Sequence, residues 1–290
     1  MTSLGMIGLG AMGHSIAANI LRKGQTLTVY DIRPEAANDL IPLGAKRAAS
    51  IAELGGCEIV LLMVNTFDQC RACMEELLTT KNGGIVVVCS TIQMKQAQTL
   101  EAMAASRGVR MLDCPVSGGT RGAMAGTLTL MAAGADDVFA QCAPLLHCFG
   151  TRVLHVGKAV GQGQAVKAVN QLLVGVHMCA AAEAFNMARQ CGLDLDMMFE
   201  TIKASAGTSR IFENRGQFFI DRDYSTRSTL AIQLKDTTIA CQTAADAGAP
   251  SPLGELCRDM FAQAVSKYPP TQDSMAVIRL LEEQNGKNGS

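Results

Sequence analysis

Short apolar runs rich in Val, Ile and Leu alternate with helically spaced apolar residues in the first half of the chain. The runs predict strands at 4–10, 26–31, 58–64, 84–90, 110–116, 127–134 and 151–157. Between them, as at 67–78 and 94–107, apolar residues recur every three or four positions, which predicts helices. Continuous apolar strands separated by helices indicate a mostly parallel sheet that is covered on both faces.

The strand pattern stops after Gly161, and the rest of the chain predicts only helices. Gly192, Gly207 and Gly248 separate the helical stretches, as glycine commonly does where a helix ends. The predicted helices are 164–191, about 194–206, 209–220, 228–248, 253–267 and 274–283. We therefore expect an α/β domain over 1–161 and an all-α domain over 162–290.

Composition narrows the classes of partner. The 290 residues include 25 basic and 26 acidic side chains with no long charge run, which argues against nucleic-acid binding. The longest apolar segment, 172–188, is interrupted by His177 and Glu183, so we expect no membrane span. Many of the 11 cysteines lie in apolar stretches, as buried thiols do in a reducing cytoplasm. The lone C-x-x-C, Cys70 to Cys73, lacks a second pair, so we expect no metal.

The first predicted strand runs into the glycine pattern G-x-G-x-x-G, formed by Gly8, Gly10 and Gly13, and a predicted helix follows. Asp31 ends the second strand, which completes the context of a dinucleotide-binding Rossmann domain. In that context the helix start binds the pyrophosphate, and the acid accepts hydrogen bonds from the adenosine ribose. Asp31 favours NAD over NADP, although Arg33 could face a 2′-phosphate. The alternative is a glycine turn without cofactor.

A second glycine-rich stretch, Ser117, Gly118 and Gly119, follows the predicted strand at 110–116. Ligands bind at the carboxyl edge of open α/β sheets, and glycines expose backbone N–H groups that can hold an anion such as a substrate carboxylate. An ordinary loop also selects serine and glycine. From this stretch alone the two interpretations remain open.

Lys167 lies near the start of the helix predicted at 164–191, where the helix dipole disfavours a cation. Asn170 and Gln171 share its face, while a separate apolar face of Val166, Val169, Leu173 and Val176 is suited to a core. The dipole and partial burial both lower the pKa of a lysine, which suits a general acid–base. A solvated surface lysine is the alternative. The place of Lys167 beside the predicted domain boundary favours the general acid–base, because ligand sites concentrate in clefts between domains.

A second basic–acidic pair, Lys235 and Asp236, lies in the helix predicted at 228–248, which is otherwise poor in charge. Adjacent residues on a helix do not face each other, so both can border one cleft without pairing. On its own, the pair is equally well explained as charge on the surface of a helix.

Five motifs occur here in the order found in β-hydroxyacid dehydrogenases, a family that includes 3-hydroxyisobutyrate dehydrogenases. They are IGLGAMG at 7–13, CSTI at 89–92, DCPVSGGTRGAMAGTLTLMAAG at 113–134, GQAVKAVNQ at 163–171 and LKD at 234–236. The chain resembles this family over nearly its whole length. The resemblance implies a Rossmann domain followed by a helical domain, a nicotinamide cofactor and a small hydroxy acid as substrate.

The resemblance also implies residue roles. Lys167 is similar to the lysine that shuttles the substrate hydroxyl proton, Ser117 to Gly119 to the carboxylate-binding segment, and Asn170 to the asparagine that orients substrate. Many members carry a second asparagine where this chain has Gln171, so that substrate contact is open. The implied cofactor contacts are Gly8, Leu9, Gly10, Ala11, Met12, Gly13, Asp31, Ile32, Arg33, Met63, Val64, Asn65, Thr91 and Lys235, with Asp236 supporting the lysines.

The stretch 207–236 looks most similar to L-threonate dehydrogenases, in which Phe212, Glu213 and Asn214 lie close to the site. We therefore expect NAD-dependent oxidation, or the reverse reduction, of a four-carbon sugar acid such as L-threonate. The alternatives are a 3-hydroxyisobutyrate dehydrogenase, a tartronate semialdehyde reductase or, in another class, a dinucleotide-binding sensor without turnover. The apolar helical domain and the family resemblance predict a cytoplasmic homodimer or homotetramer.

Overall fold

The computed structural model describes residues 2–285. The chain divides into two compact units, of which the first ends at Lys167 and the second begins at Ala168. The helix Gln162–Gln190 contains this division. The boundary predicted from the sequence, between 161 and 162, coincides with the start of that helix.

The first unit is built on a nine-stranded sheet. Its strands are β1 Leu4–Ile7, β2 Leu27–Tyr30, β3 Lys46–Arg47, β4 Ile59–Leu62, β5 Ile85–Val88, β6 Arg110–Asp113, β7 Val116–Ser117, β8 Leu128–Ala133 and β9 Gly150–Gly157. The order is β3-β2-β1-β4-β5-β6-β8-β7, with β9 paired to β8. All neighbouring strands among β1 to β6 pair in parallel, and β9 is parallel to β8. Strand β8 is antiparallel to β6 and β7. The predicted mostly parallel sheet is confirmed.

Two details of the sheet differ from the sequence prediction. The single strand expected at 110–116 is two strands, β6 and β7, interrupted at Cys114 and Pro115, because proline has no N–H to donate to a neighbouring strand. Strand β3 was not predicted, since its two residues, Lys46 and Arg47, are polar and exposed. The chain order reverses between β1 and β4, the point at which open α/β sheets bind ligands.

Helices cover both faces of this sheet. They are α1 Ala11–Arg22, α2 Phe67–Leu77, α3 Met94–Ala105, α4 Gly119–Ala125 and α5 Asp136–Leu146. Alternate residues of β1 point to opposite faces, so Met6 packs in a core with Ile16 of α1, whereas Ile7 packs in a second core with Met74 of α2. The all-apolar strands follow from this double burial.

The second unit consists of helices. After α6, Gln162–Gln190, come α7 Leu195–Lys203, α8 Arg210–Asp221, α9 Leu230–Asp246, α10 Pro252–Lys267, a 3₁₀ turn Ser274–Val277 and α11 Ile278–Glu282. Asp194, Ser209 and Thr229 cap α7, α8 and α9 by accepting a backbone N–H. The predicted all-helical region is confirmed.

The apolar face of α6 corrects one expectation. Val166, Val169 and Leu173 were expected to pack into a core, yet they are 38%, 61% and 51% exposed. Among the described residues, α6 is also the one helix long and apolar enough to cross a membrane, with 44% of its most apolar window buried; a core helix meets the same criterion. These three residues are therefore apolar surface in the single chain, whereas Val176, the fourth residue of the predicted face, packs against the core of the helical unit.

Candidate active site

The turn between β1 and α1 depends on two of its three glycines for space. Gly8 has a φ of 95°, and a Cβ there would lie 2.2 Å from the carbonyl oxygen of Met63. A Cβ on Gly13 would lie 2.0 Å from the carbonyl oxygen of Gly8. Gly10 differs, because a Cβ there meets nothing within 4 Å. The start of α1 therefore adjoins open space, as a bound pyrophosphate requires.

Asp31 closes this turn from the end of β2. Its carboxylate accepts the backbone N–H of Leu9 at 2.7 Å and that of Arg33 at 2.9 Å, and Arg33 Nε lies 3.3 Å from Oδ1. Burial by itself would raise the pKa of Asp31, but the N–H groups of Arg33 and Leu9 outweigh it and lower the pKa. Asp31 is thus a carboxylate at neutral pH, directly beside the glycine turn.

Two cavities adjoin the turn. One, of about 380 Å³, is lined by residues that include Asp31, Ile32 and Arg47. The other, of about 360 Å³, is lined by residues that include Gly10 and Arg33. The residues present therefore fit a dinucleotide: a helix start without a side-chain cap, a carboxylate and open volume. Arg47 was not foreseen, because its strand is too short to be predicted, and it adds a second cation beside Asp31.

The ends of β4 and β5 lie next to the turn. Met63 donates its N–H to Ile7, and Val64 Cγ1 would be 3.1 Å from a Cβ on Gly8. The N–H of Val64 is donated to Ser90 Oγ at 2.9 Å. Asn65 and Thr91 occupy the next positions along these two loops. The parallel register thus brings the predicted cofactor positions of three loops to one edge of the sheet.

A buried hydrogen-bond network anchors the start of α6. Asp113, fully buried at the end of β6, accepts the N–H groups of Gly161 at 3.1 Å and Gln164 at 2.9 Å, and Gln164 Nε2 at 2.7 Å. Gln164 also donates to the carbonyl of Ser90 and accepts the N–H of Ile92. Lys167, three residues further along the helix, is only 6% exposed.

The sequence did not predict this network, because Asp113 stands there only as the first residue of the motif at 113–134. Burial raises the pKa of Asp113 to about 6, although the donors of Gln164, Gly161 and Gly163 oppose the rise. A Cβ on Gly163 would lie 2.8 Å from Asp113 Oδ2, so the glycine allows the carboxylate to reach the helix start. Asp113 and Gln164 are 51 residues apart along the chain, so no local pattern marks them as partners.

Ser117 ends β7, and two glycines with positive φ follow it. Gly118 has a φ of 132° and Gly119 a φ of 61°, conformations that L side chains rarely adopt. Both glycines are exposed, and a Cβ on Gly119 meets nothing within 4 Å. The segment therefore presents accessible backbone N–H groups at the start of α4.

Four predicted site residues meet in the second unit. Asn170 Nδ2 donates to Gln171 Oε1 at 2.7 Å, and Gln171 Nε2 donates to Asp236 Oδ2 at 2.6 Å. Lys235 Nζ lies 3.2 Å from Asp236 Oδ1, an ion-pair distance without hydrogen-bond geometry. Gln171 and Asp236 are buried, whereas Asn170 and Lys235 are partly exposed.

Comparison with known proteins decides the family. The chain matches the family model of the NAD-binding domain of 6-phosphogluconate dehydrogenase over residues 3–157 and that of the NAD-binding domain of NADP-dependent 3-hydroxyisobutyrate dehydrogenase over residues 161–281. It is 35% identical to L-threonate dehydrogenase of Cupriavidus necator over 284 residues, which covers 96% of each chain.

The chain belongs to the 3-hydroxyisobutyrate dehydrogenase family.

Two solved structures of 3-hydroxyisobutyrate dehydrogenases share its fold over the full length. That from Salmonella typhimurium has a TM-score of 0.88 and 35% identity, covering 97% of this chain and 100% of its own. That from Mycobacterium tuberculosis, with L-serine, has a TM-score of 0.89 and 29% identity, covering 97% and 99%. The protein is therefore a hydroxyacid dehydrogenase with an NAD(P)-binding Rossmann domain.

Two predicted positions of this dehydrogenase do not join the clusters above. Phe212 is 4% exposed and stacks on Phe185, with ring centroids 5.3 Å apart, inside the aromatic core of the helical unit. Asn214, two residues later in α8, is exposed. A substrate contact by Phe212 stays a prediction that its burial does not support.

The described residues also include the side-chain types of metal sites and of disulfide pairs. Within residues 2–285, no three His, Cys, Asp or Glu side chains are grouped so as to hold a metal ion. All 11 cysteines are free thiols, and seven of them lie among the strands and helices of the first unit.

Proposed function

We propose that this hydroxyacid dehydrogenase catalyses the NAD-dependent oxidation, or the reverse reduction, of a four-carbon sugar acid such as L-threonate. The full-length similarity to an L-threonate dehydrogenase carries the choice of substrate. Residues 1–161 bind the dinucleotide, and 162–290 contribute substrate and subunit contacts. The enzyme works in the cytoplasm.

The cofactor residues are those of the glycine turn and the neighbouring loops named above. Asp31 accepts hydrogen bonds from the adenosine ribose, and its carboxylate repels a 2′-phosphate, which favours NAD. Arg33 and Arg47 oppose this preference only partly, because Arg33 is already engaged with Asp31. A dinucleotide held by these residues would supply the acceptor for the hydride of the substrate carbon.

Lys167 acts as the general acid–base at the substrate hydroxyl. In oxidation its amine takes the hydroxyl proton, and in reduction its ammonium returns one. The anchoring of α6 through Asp113 and Gln164 fixes the backbone of the turn that precedes this side chain. The N–H groups of Ser117 to Gly119 hold the substrate carboxylate, and Asn170 orients the substrate.

A kinetic panel tests the proposed function. L-Threonate, 3-hydroxyisobutyrate, L-serine and, in reverse, tartronate semialdehyde are assayed by NADH or NADPH absorbance with each cofactor. We expect the highest kcat/KM with L-threonate and at least about tenfold more with NAD than with NADP, the value of one lost charged contact. A strong NADP preference would contradict the role of Asp31. NADH binding without turnover of any acid would favour a sensor instead.

Replacing the general base tests the role of Lys167. In Lys167→Ala, kcat should fall about 10²- to 10⁴-fold, the range that general acid–base catalysis supplies, while the Kd of NADH stays nearly unchanged. Lys158→Ala is the matched control, because Lys158 is an exposed lysine of the same unit. Turnover of Lys167→Ala at a near wild-type rate would show that the proton is transferred elsewhere.

A further inference from the structure

A directional chain of hydrogen bonds runs through three side chains of the helical unit. It passes from Asn170 to Gln171 at 2.7 Å and from Gln171 to Asp236 at 2.6 Å. Gln171 is the position at which this protein has glutamine where many family members carry asparagine. In this protein the glutamine is hydrogen-bonded to the carboxylate of Asp236.

The chemistry of Asp236 sets the direction of that chain. A carboxylate only accepts hydrogen bonds, so Gln171 must turn its Nε2 toward Asp236. Its Oε1 then faces Asn170, which must turn its own Nδ2 toward Gln171. Asn170 Oδ1 is consequently held on the side away from Gln171. No amide in the chain can be reversed without placing two acceptors against each other.

Burial makes such a reversal costly. Gln171 is 7% exposed and Asp236 6% exposed, so two opposed acceptors could not be screened by water. Gly175, one turn after Gln171, brings α6 close to α9: a Cβ there would lie 2.5 Å from Thr237 Cγ2.

We propose that Asp236, acting through Gln171, fixes the amide of Asn170 with its carbonyl oxygen toward the substrate, so that the enzyme selects acids carrying a hydroxyl beyond the one that is oxidised. This inference rests on the proposed function, because Asn170 is taken to orient the substrate. Gln171 and Asp236 are positioning residues. A fixed acceptor forms a hydrogen bond with a substrate hydroxyl, whereas a methyl group at the same place leaves the acceptor without a partner.

An exchange of acid and amide tests the direction of the chain. Asp236→Asn keeps the volume but can also donate, so the amides can reverse. The KM for L-threonate should then rise about tenfold relative to the KM for 3-hydroxyisobutyrate, the value of one hydrogen bond. 3-Hydroxyisobutyrate has only the hydroxyl that is oxidised, so loss of the Lys235–Asp236 ion pair acts on both acids and cancels in the ratio of their KM values. In Gln171→Glu/Asp236→Asn the carboxylate at 171 accepts from both amides, which should restore that ratio to within about threefold of wild type.

Two further variants separate positioning from structure. In an Asn170→Ala background, Asp236→Asn should have no additional effect on the ratio of the two KM values, because the effect acts through Asn170. Asp221→Asn, in the exposed Gln217–Asp221 pair of α8, makes the same chemical change away from this chain and should leave both KM values unchanged. Three results would overturn the inference. The ratio of the two KM values could stay unchanged in Asp236→Asn, or the double exchange could show the same ratio as Asp236→Asn. Asp236→Asn could also change the ratio equally in the Asn170→Ala background.

The orientation can also be measured without turnover. In ¹⁵N-labelled enzyme, the side-chain N–H of Asn170, which is present in all three proteins, should exchange slowly with solvent in wild type and the double exchange, and faster in Asp236→Asn. Failure of the wild type to oxidise either acid would contradict the proposed function alone. Equal exchange rates in all three proteins would contradict the positioning role alone.

Discussion

Single residues of this dehydrogenase show how a buried acid can organise a helix start. Asp113 has no exposed surface and receives three hydrogen bonds from Gly161 and Gln164. Two of those bonds satisfy the backbone N–H groups of Gly161 and Gln164 at the start of α6, which have no partner within the helix. The price is a buried charge, which is why burial raises the pKa of Asp113 to about 6.

That raised pKa predicts a pH dependence of stability. Because the folded state binds the Asp113 proton more tightly than the unfolded chain, this group stabilises the fold most below its ordinary pKa near 3.8 and loses that contribution as pH rises through about 6. Over this window the loss is about 2–3 kcal/mol. Asp113→Asn does not titrate. Its unfolding free energy relative to wild type should therefore improve between pH 4 and pH 7.

Urea unfolding followed by far-UV circular dichroism at several pH values measures this difference. Glu53→Gln is a suitable control, because Glu53 is an exposed acid of the same unit and its variant should keep the wild-type pH slope. Parallel pH profiles for wild type and Asp113→Asn would show that the carboxyl does not titrate in this window.

At the scale of elements, the periodicity of apolar residues predicted the strands and helices but not the contacts between residues far apart along the chain. The strand runs and the all-helical region followed from local patterns, since burial of a sheet on both faces or of a helix on one face leaves a direct mark in the sequence. The break at Pro115 has a local cause, the missing N–H of proline, whereas the Asp113–Gln164 bonds join residues 51 positions apart, which no local pattern records. Likewise, an apolar face such as that of Val169 and Leu173 indicates burial but does not show whether the same chain or a second chain covers it.

At the scale of the whole molecule, that uncovered face supports assembly. Val169 and Leu173 of α6 and Leu253 and Leu256 of α10 are 51–65% exposed, and the two helices approach closely, because a Cβ on Gly254 would lie 2.4 Å from Leu172 Cδ1. Contiguous apolar surface of this kind favours pairing with a second chain. We therefore expect a homodimer or homotetramer of the 30.6 kDa chain.

Light scattering after size exclusion tests this assembly. Val169→Lys/Leu173→Lys places two cations in the apolar face, so the molar mass should fall toward 30.6 kDa while far-UV circular dichroism stays unchanged. Ile41→Lys is the control, because Ile41 is 44% exposed in the first unit and its replacement should leave the mass unchanged. A wild-type mass of one chain at micromolar concentration would contradict the assembly. A double variant that keeps the wild-type mass would place the contact on another face.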